Sequence, residues 1–254
     1  MPNPIGHRRL TFDEVASTNT IAVGYAAEPG MHGLVVTAAS QSAGRGQYDR
    51  VWQAPSGSSV LLSVLLFPTV ECRRPALLTA WAAESVCATI ADAIGLDATL
   101  KWPNDVLLNG RKVCGILCEA GTRHLVAGIG LNANQSADDF ARLNLPDATS
   151  LAIETGRPID VADLTERLIA RLDTEYTTMQ TGSLEERWRD RFRLLGKTCV
   201  LEMMDGRLFV GRLRMLSFQA IGLETEIETL TLPPEAVRHV RPASLPTSLD
   251  CVRC

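Results

Sequence analysis

"ATLKWPNDVLLNGRKVCGILCEA", residues 98–120, decides how this chain is read. Its short aliphatic runs are broken first at Pro103 and again at Asn109-Gly110-Arg111. That punctuation predicts two or three short strands joined by tight turns. Trp102-Pro103 fixes an extended turn, and Asn104 and Asp105 project polar groups from its end. The same pair also reads more plainly as an Asx-turn capping its own backbone. Lys112 opens the apolar strand "VCGILCEA". A lysine entering a buried strand is costly unless it faces an anion. Otherwise it is a strand-end lysine whose ammonium snorkels to water. Cys114 and Cys118 share parity with Ile116 and read as small core residues.

Outward from this stretch, the chain alternates strands and helices. Upstream, "ASTNTIAVGYAAE" predicts a helix with Ser17 as N-cap. "GLVVTAAS" and "SSVLLSVLLF" predict strands, and "RPALLTAWAAESVCATIADAIG" a long amphipathic helix closed by Gly95. Downstream, "HLVAGIGLNAN" predicts a buried strand whose glycines allow close backbone approach. "DVADLTERLIARLDTEYTTMQTG" and "SLEERWRDRFRLLG" predict helices, the second stopped by Gly196. Beyond it the texture turns to short hairpins, with a turn at Asp205-Gly206. The order predicts an α+β fold. A mixed sheet flanked by helices should occupy residues 1–195, and a small β domain residues 196–254, its strands closing into a barrel-like module between about 196 and 243.

The totals narrow the function classes. The chain has 254 residues, 46% of them hydrophobic, and a formal net charge of -4. An acidic chain argues against sequence-independent nucleic-acid binding, which wants a basic face. The first residues hold no apolar core of a secretory signal. The longest apolar run, Val60 to Phe67, is too short to span a bilayer. A cytoplasmic protein with neither nucleic acid nor membrane as partner is expected. The seven cysteines are irregularly spaced, which suits reduced thiols. Cys251 and Cys254 form a terminal CxxC, but no second Cys/His pair stands at zinc-finger spacing, so no metal site is expected.

One loop interrupts the pattern: "GRGQYDRVW", residues 44–52. Gly44 and Gly46 remove Cβ atoms on both sides of Arg45, so backbone N–H groups there could approach an anion. Arg45 and Arg50 add fixed positive charge. The loop is neither a Walker loop nor a dinucleotide fingerprint. Further on, "AGIGLNAN" is a strand of small residues that delivers Asn132.

Taken in order, these stretches resemble the biotin protein ligases. The resemblance runs through "STN" at Ser17 to Asn19, "QSAGRG" at Gln41 to Gly46, and Trp52. It continues through "KWPND" at Lys101 to Asp105, "RKVCGIL" with Lys112 and Gly115, and "GIGLN" at Gly128 to Asn132. It covers about residues 10 to 240 and implies an SH3-like β-module at the C-terminal end. It implies an enzyme that joins biotin to ATP, giving biotinyl-5'-adenylate and pyrophosphate. The biotinyl group then passes to one lysine of a biotin carboxyl carrier protein. By the resemblance, Ser17, Thr18, Asn19 and Gln41 hydrogen-bond biotin, and Gly115, Gly128 and Gly130 floor its pocket. Arg45 and Lys112 meet the biotin carboxylate and the α-phosphate, with Gly44, Gly46 and Gln47 beside them. Arg50, Trp52, Asn104 and Asn132 belong near the nucleotide. Asp105 is the orienter or base for the incoming lysine amine. Mg²⁺ accompanies ATP without a protein cage of its own.

There are departures. The family's strongly basic loop has become Gly44-Arg45-Gly46-Gln47-Tyr48-Asp49-Arg50, and Ser58-Ser59-Val60 stands where Gly-Asn-Leu is usual. No winged-helix region precedes residue 10, so a monofunctional ligase without operator binding is expected, as monomer or homodimer. Two alternatives remain: a lipoate or octanoate ligase of the same fold, and a non-catalytic biotin-binding module.

Overall fold

The protein is described by a computed structural model covering residues 4–48, 50–70, 72–179 and 183–243. Asp49 and the Cys251/Cys254 pair lie outside the described residues. A seven-stranded mixed sheet is built from β1 (Arg9–Val15), β2 (Leu34–Gln41), β3 (Ser59–Leu66), β4 (Thr99–Lys101), β5 (Asp105–Leu108), β6 (Arg111–Ala120) and β7 (Leu125–Asn132). Its order is β1-β2-β3-β7-β6-β5-β4. Only the β1–β2 pair is parallel. Three strands come from residues 98–120, as the punctuation predicts. The turn between β5 and β6 takes positive φ at Asn109 and Gly110, 50° and 79°, the signature of a primed hairpin turn.

Helices cover both faces of this sheet. Short α1 (Thr18–Gly24) packs on one face, where Leu34, Val36, Leu65 and Val126 form a small core around Ala22. Ser17 sits at its N-cap position without a side-chain cap bond. On the other face lie α2 (Pro75–Ile94) and α5 (Val161–Thr178), over the main core of Val35, Leu62, Val64, Ala127 and Ile129. Burial on both faces explains why β3 reads as a nearly continuous apolar run. Helix α2 starts on Pro75 and ends on a left-handed Gly95, φ 77°. By length and composition it could cross a bilayer, but Leu78, Trp81, Val86 and Ile90 are fully buried in the main core.

Four elements depart from the sequence reading. β1 is an edge strand whose exposed charges hide its periodicity. Helices α3 (Ala137–Arg142) and α4 (Leu151–Thr155) are single-turn elements capped by Ser136 and Ser150. Helix α6 (Ser183–Phe192) ends before Gly196, which instead takes φ 78° in the connection to the next strand.

That connection enters a five-stranded antiparallel sheet of order β11-β10-β9-β8-β12. Its strands are β8 (Thr198–Met203), β9 (Leu208–Leu216), β10 (Ile221–Glu224), β11 (Thr229–Leu232) and β12 (Val237–Pro242). The turn at Asp205-Gly206 joins β8 to β9, with Gly206 at φ 86°. Helix α6 bridges the two sheets. Trp188 and Phe192 pack against Trp102, and Trp188 against Phe218, with ring centroids 5.0–6.1 Å apart. Trp102 Nε1 donates to the Val237 carbonyl at 2.9 Å. One hydrophobic core runs without a break from α2 through α6 into the second sheet.

Candidate active site

The alternation of β7 decides where a site can form. Ala127, Ile129 and Leu131 point to the main core, so Gly128, Gly130 and Asn132 share the opposite face. Helix α1 covers only part of that face. The rest opens as a cleft of about 750 Å³. Along β7, alternate residues are about 7 Å apart, so Gly128, Gly130 and Asn132 mark three stations in a row.

At the first station the groups are hydroxyls and amides. Thr18 donates to Gln41 Oε1 from its backbone N–H at 2.8 Å and from its hydroxyl at 3.1 Å. The Ser63 hydroxyl lies 2.7 Å from Thr18 Oγ1 and 2.6 Å from Asn19 Oδ1. Asn19 Nδ2 donates to Glu119 Oε2 at 2.7 Å. A Cβ on Gly128 would lie 2.3 Å from Asn19 Oδ1, so this glycine is required by close approach.

The second station carries the cations. Gly130 lies opposite Gly115 on β6, and the Trp52 indole rests over both: a Cβ on Gly130 would lie 2.5 Å from the ring. Lys112 Nζ sits 5.9 Å from the Trp52 ring centroid and 2.6 Å from Asp105 Oδ1. Strict strand alternation would send Lys112 to the core with Cys114. A β-bulge prevents this: Val106 pairs with Cys114 but Leu107 with Lys112, leaving Val113 as the extra residue. The bulge returns the lysine to the face of Gly115. Neither cation is solitary, since Arg45 Nη2 pairs with Glu119 Oε2 at 2.9 Å. Arg45 and Lys112 line one cleft but are held by different carboxylates.

The third station is a buried amide network. Asn132 Nδ2 donates to the Thr149 carbonyl at 3.0 Å. Gln135 Nε2 donates to Asn132 Oδ1 at 2.8 Å and to Ser59 Oγ at 2.6 Å. Asn104 likewise braces the protein, donating to the Ile116 carbonyl at 2.5 Å. The segment around Phe140 and Leu145–Ala148 walls this end. It is tied down by the Lys112 backbone, whose N–H donates to Asp147 and whose carbonyl accepts from Thr149.

The glycine-bearing loop is a small hairpin closed over the cleft. Trp52 N–H donates to the Gly44 carbonyl and Gly46 N–H to the Arg50 carbonyl. The Gly46 N–H is therefore engaged within the loop and not directed at the cleft. Gly44 does not line the cleft. Its missing Cβ makes room for the Trp52 carbonyl, which one would approach to 2.4 Å. The other predicted residues, from Ser17 through Gln41, Arg45, Gly46, Gln47 and Arg50 to Asn132, all border it. The loop tip leans on the second sheet. Tyr48 lies edge-on to His239, under the Arg238 guanidinium at 5.0 Å, and within 3.6 Å of Met204 Sδ. Trp52 Nε1 and Gln47 Oε1 are buried without a hydrogen-bond partner.

Sequence reasoning missed Ser63, Glu119, Gln135 and the 140–148 wall. Ser63 carried a signal, as the lone polar residue inside an apolar strand. Among the described residues no cluster of three or more His, Cys, Asp or Glu side chains could hold a metal.

This arrangement can hold an elongated ligand along β7, with a hydrogen-bonding head and an anionic middle. Comparison with known proteins agrees. The model of the biotin/lipoate A/B protein ligase family matches residues 12–135. The biotin–[acetyl-CoA-carboxylase] ligase of Mycobacterium tuberculosis is 30% identical over 245 residues, spanning 93% of this chain and 91% of that protein. The bifunctional ligase/repressor BirA of Bacillus spizizenii is 29% identical over 249 residues, 95% of this chain and 74% of that protein. In fold, the biotin protein ligase from Aquifex aeolicus, solved with biotin and ATP, superposes with a TM-score of 0.78 at 23% identity, over 93% of this chain and all of that one. The three-station cleft, the loop above it and these likenesses agree: the chain belongs to the biotin/lipoate A/B protein ligase family, among its biotin protein ligases.

Proposed function

We propose that this protein activates biotin with ATP and transfers it to a lysine of a biotin carboxyl carrier protein. The observation that carries the reading is the row of stations along β7, which matches biotin's parts in order. The ureido head would meet Ser17, Thr18, Asn19 and Gln41, the thiophane ring and chain would lie on Gly128 and Gly130, and the carboxylate would reach Lys112. The nucleotide would extend toward Asn132, Asn104 and Arg50.

In the first step a biotin carboxylate oxygen attacks the α-phosphorus of ATP and pyrophosphate leaves. The barrier is the meeting of two anions, and positioned cations lower it by electrostatic stabilisation. Lys112 and Arg45 supply that charge. In the second step the carrier lysine amine attacks the acyl carbon, AMP leaves and the amine loses a proton. Asp105, freed when Lys112 turns to the substrates, would orient or accept from that amine. The loop hairpin excludes water, which would hydrolyse the mixed anhydride. Mg²⁺ would be carried in by the ATP phosphates. The nearby carboxylates Asp105 and Glu119 are ion-paired and offer it no cage.

We read residues 1–195 as the biotin- and ATP-binding domain, and the sheet beyond Gly196 as its SH3-like module. The setting is cytoplasmic, and the protein works as a monomer or homodimer. The test is biotin-dependent release of pyrophosphate from ATP, followed by transfer to a carrier domain. Lys112→Ala should abolish both while leaving the melting temperature near wild type. Biotin binding without any pyrophosphate release by the wild type would sink the enzymatic reading and leave a biotin-binding module.

A further inference from the structure

Two cations of the cleft, Lys112 and Arg45, are each matched by a carboxylate, and the two matches differ in kind. Lys112 pairs with Asp105, its neighbour across the β5–β6 hairpin. Arg45, on the loop, pairs with Glu119, near the far end of β6 on the cleft face. Glu119 Oε2 accepts from Arg45 Nη2 at 2.9 Å and from Asn19 Nδ2 at 2.7 Å. Asn19 is buried and held from its other side by Ser63, which also touches Thr18, itself bonded to Gln41. A continuous line of polar contacts therefore runs Gln41–Thr18–Ser63–Asn19–Glu119–Arg45. Its middle, at Thr18, Ser63 and Asn19, is buried inside the protein. Its Arg45 end is about half exposed, with 47% of the side chain accessible, and sits on a loop. Of the two partners, Arg45 is the more exposed and the one carried on a loop.

We propose that Glu119 is a specificity-determining positioning residue. It holds Arg45 when the cleft is empty and releases it only to a ligand that brings its own anion. Glu119 thereby sets how strongly the cleft favours a carboxylate over a neutral analogue. The inference rests on the biotin reading of the cleft.

The physics is a competition for one guanidinium. A neutral ligand has nothing to exchange and leaves the Glu119–Arg45 pair intact. An anionic ligand must replace Glu119, so part of its attraction to Arg45 is cancelled. Glu119 thus lowers the affinity for the anion, and when the anion departs the carboxylate reclaims the loop cation.

Glu119→Gln isolates the charge, because the amide oxygen can still accept from Asn19. Wild type and Glu119→Gln are titrated calorimetrically with biotin and with its primary amide, which keeps the rings and chain but carries no charge. Biotin should bind the variant roughly two- to fivefold more tightly, the range for a partly exposed ion pair, and the amide should bind unchanged. The gain for biotin should shrink as salt rises. In an Arg45→Ala background the gain should be smaller, because the partner being competed for is gone. An equal gain there would mean plain repulsion by Glu119 and would overturn the proposal. So would an equal change for both ligands, which would make Glu119 only a brace for Asn19. If wild type binds neither ligand, the biotin reading itself falls, and this inference with it.

Discussion

By the resemblance, Gln47 stands where the family's basic loop places a cation. Its Oε1 is buried without a hydrogen-bond partner. A hydrogen bond to a charged group contributes roughly 1.5–3 kcal/mol and a neutral one about 1, a difference of about tenfold in retention of an anionic intermediate. Gln47→Arg should therefore slow release of biotinyl-adenylate about tenfold, with a smaller effect on biotin affinity. Single-turnover formation followed by dilution measures that rate. An unchanged rate would pass the role to Arg50 or Tyr48. Residues of this kind are legible in sequence because their chemistry is unusual for their setting: a lysine entering a core strand, glycines around an arginine. Glu119 and Gln135 are not legible, because a lone acid near a strand end and a lone amide in a polar turn look like surface. Only the folded register brings Glu119 to Arg45, 74 residues away.

At the scale of the element, β7 is both wall and ruler. Gly128→Ala should push Asn19 out of its pocket and weaken biotin binding about tenfold or more, with little change in ATP binding. Paired calorimetric titrations decide it, and equal losses would mean a general strand defect. The cysteines of the core face give a second prediction. Burial pushes the Cys118 thiol on β6 up to about 11 and the Cys87 thiol on α2 up to about 12, from an ordinary 9.0. Their folded values lie above their unfolded ones, so the stability they contribute is complete below pH 9 and is lost as pH rises through 9 toward 11–12. The melting temperature should fall over that range, and Cys87→Ala should flatten the fall. Periodicity and turn residues reveal β2 to β7, α2 and α5, because each has a clean apolar pattern. β1 escapes because an edge strand carries its charges outward. The bulge at Val113, which aims Lys112, leaves no mark that alternation alone can detect.

In the whole molecule, the two sheets share one core, and Trp102 is the seam between them. It packs on Trp188 and Phe192 and bonds the Val237 carbonyl, while Asn104 and Asp105 follow two and three residues later. Trp102→Ala should cost about 3–5 kcal/mol, and Trp102→Phe, which keeps the stacking but orphans Val237, about 1 kcal/mol. Urea denaturation followed by far-UV circular dichroism would measure both. Near-equal losses would show that the hydrogen bond, and not the packing, holds the seam.

The bridging role of α6 also bears on how such chains can be recombined. Gly196, where the texture of the sequence changes, looks like the natural crossover for a hybrid that takes its second sheet from a relative. A hybrid cut there would keep Trp102 and Trp188 but pair them with a foreign surface in place of Val237 and Phe218. It would also strip Tyr48 of Met204, Arg238 and His239, leaving the loop without its resting place. A working crossover therefore keeps α6 with the first sheet, where it rests on α2 and packs on Trp102, and fits the incoming sheet to Trp188 and Trp102, with Tyr48 changed to suit the incoming strand.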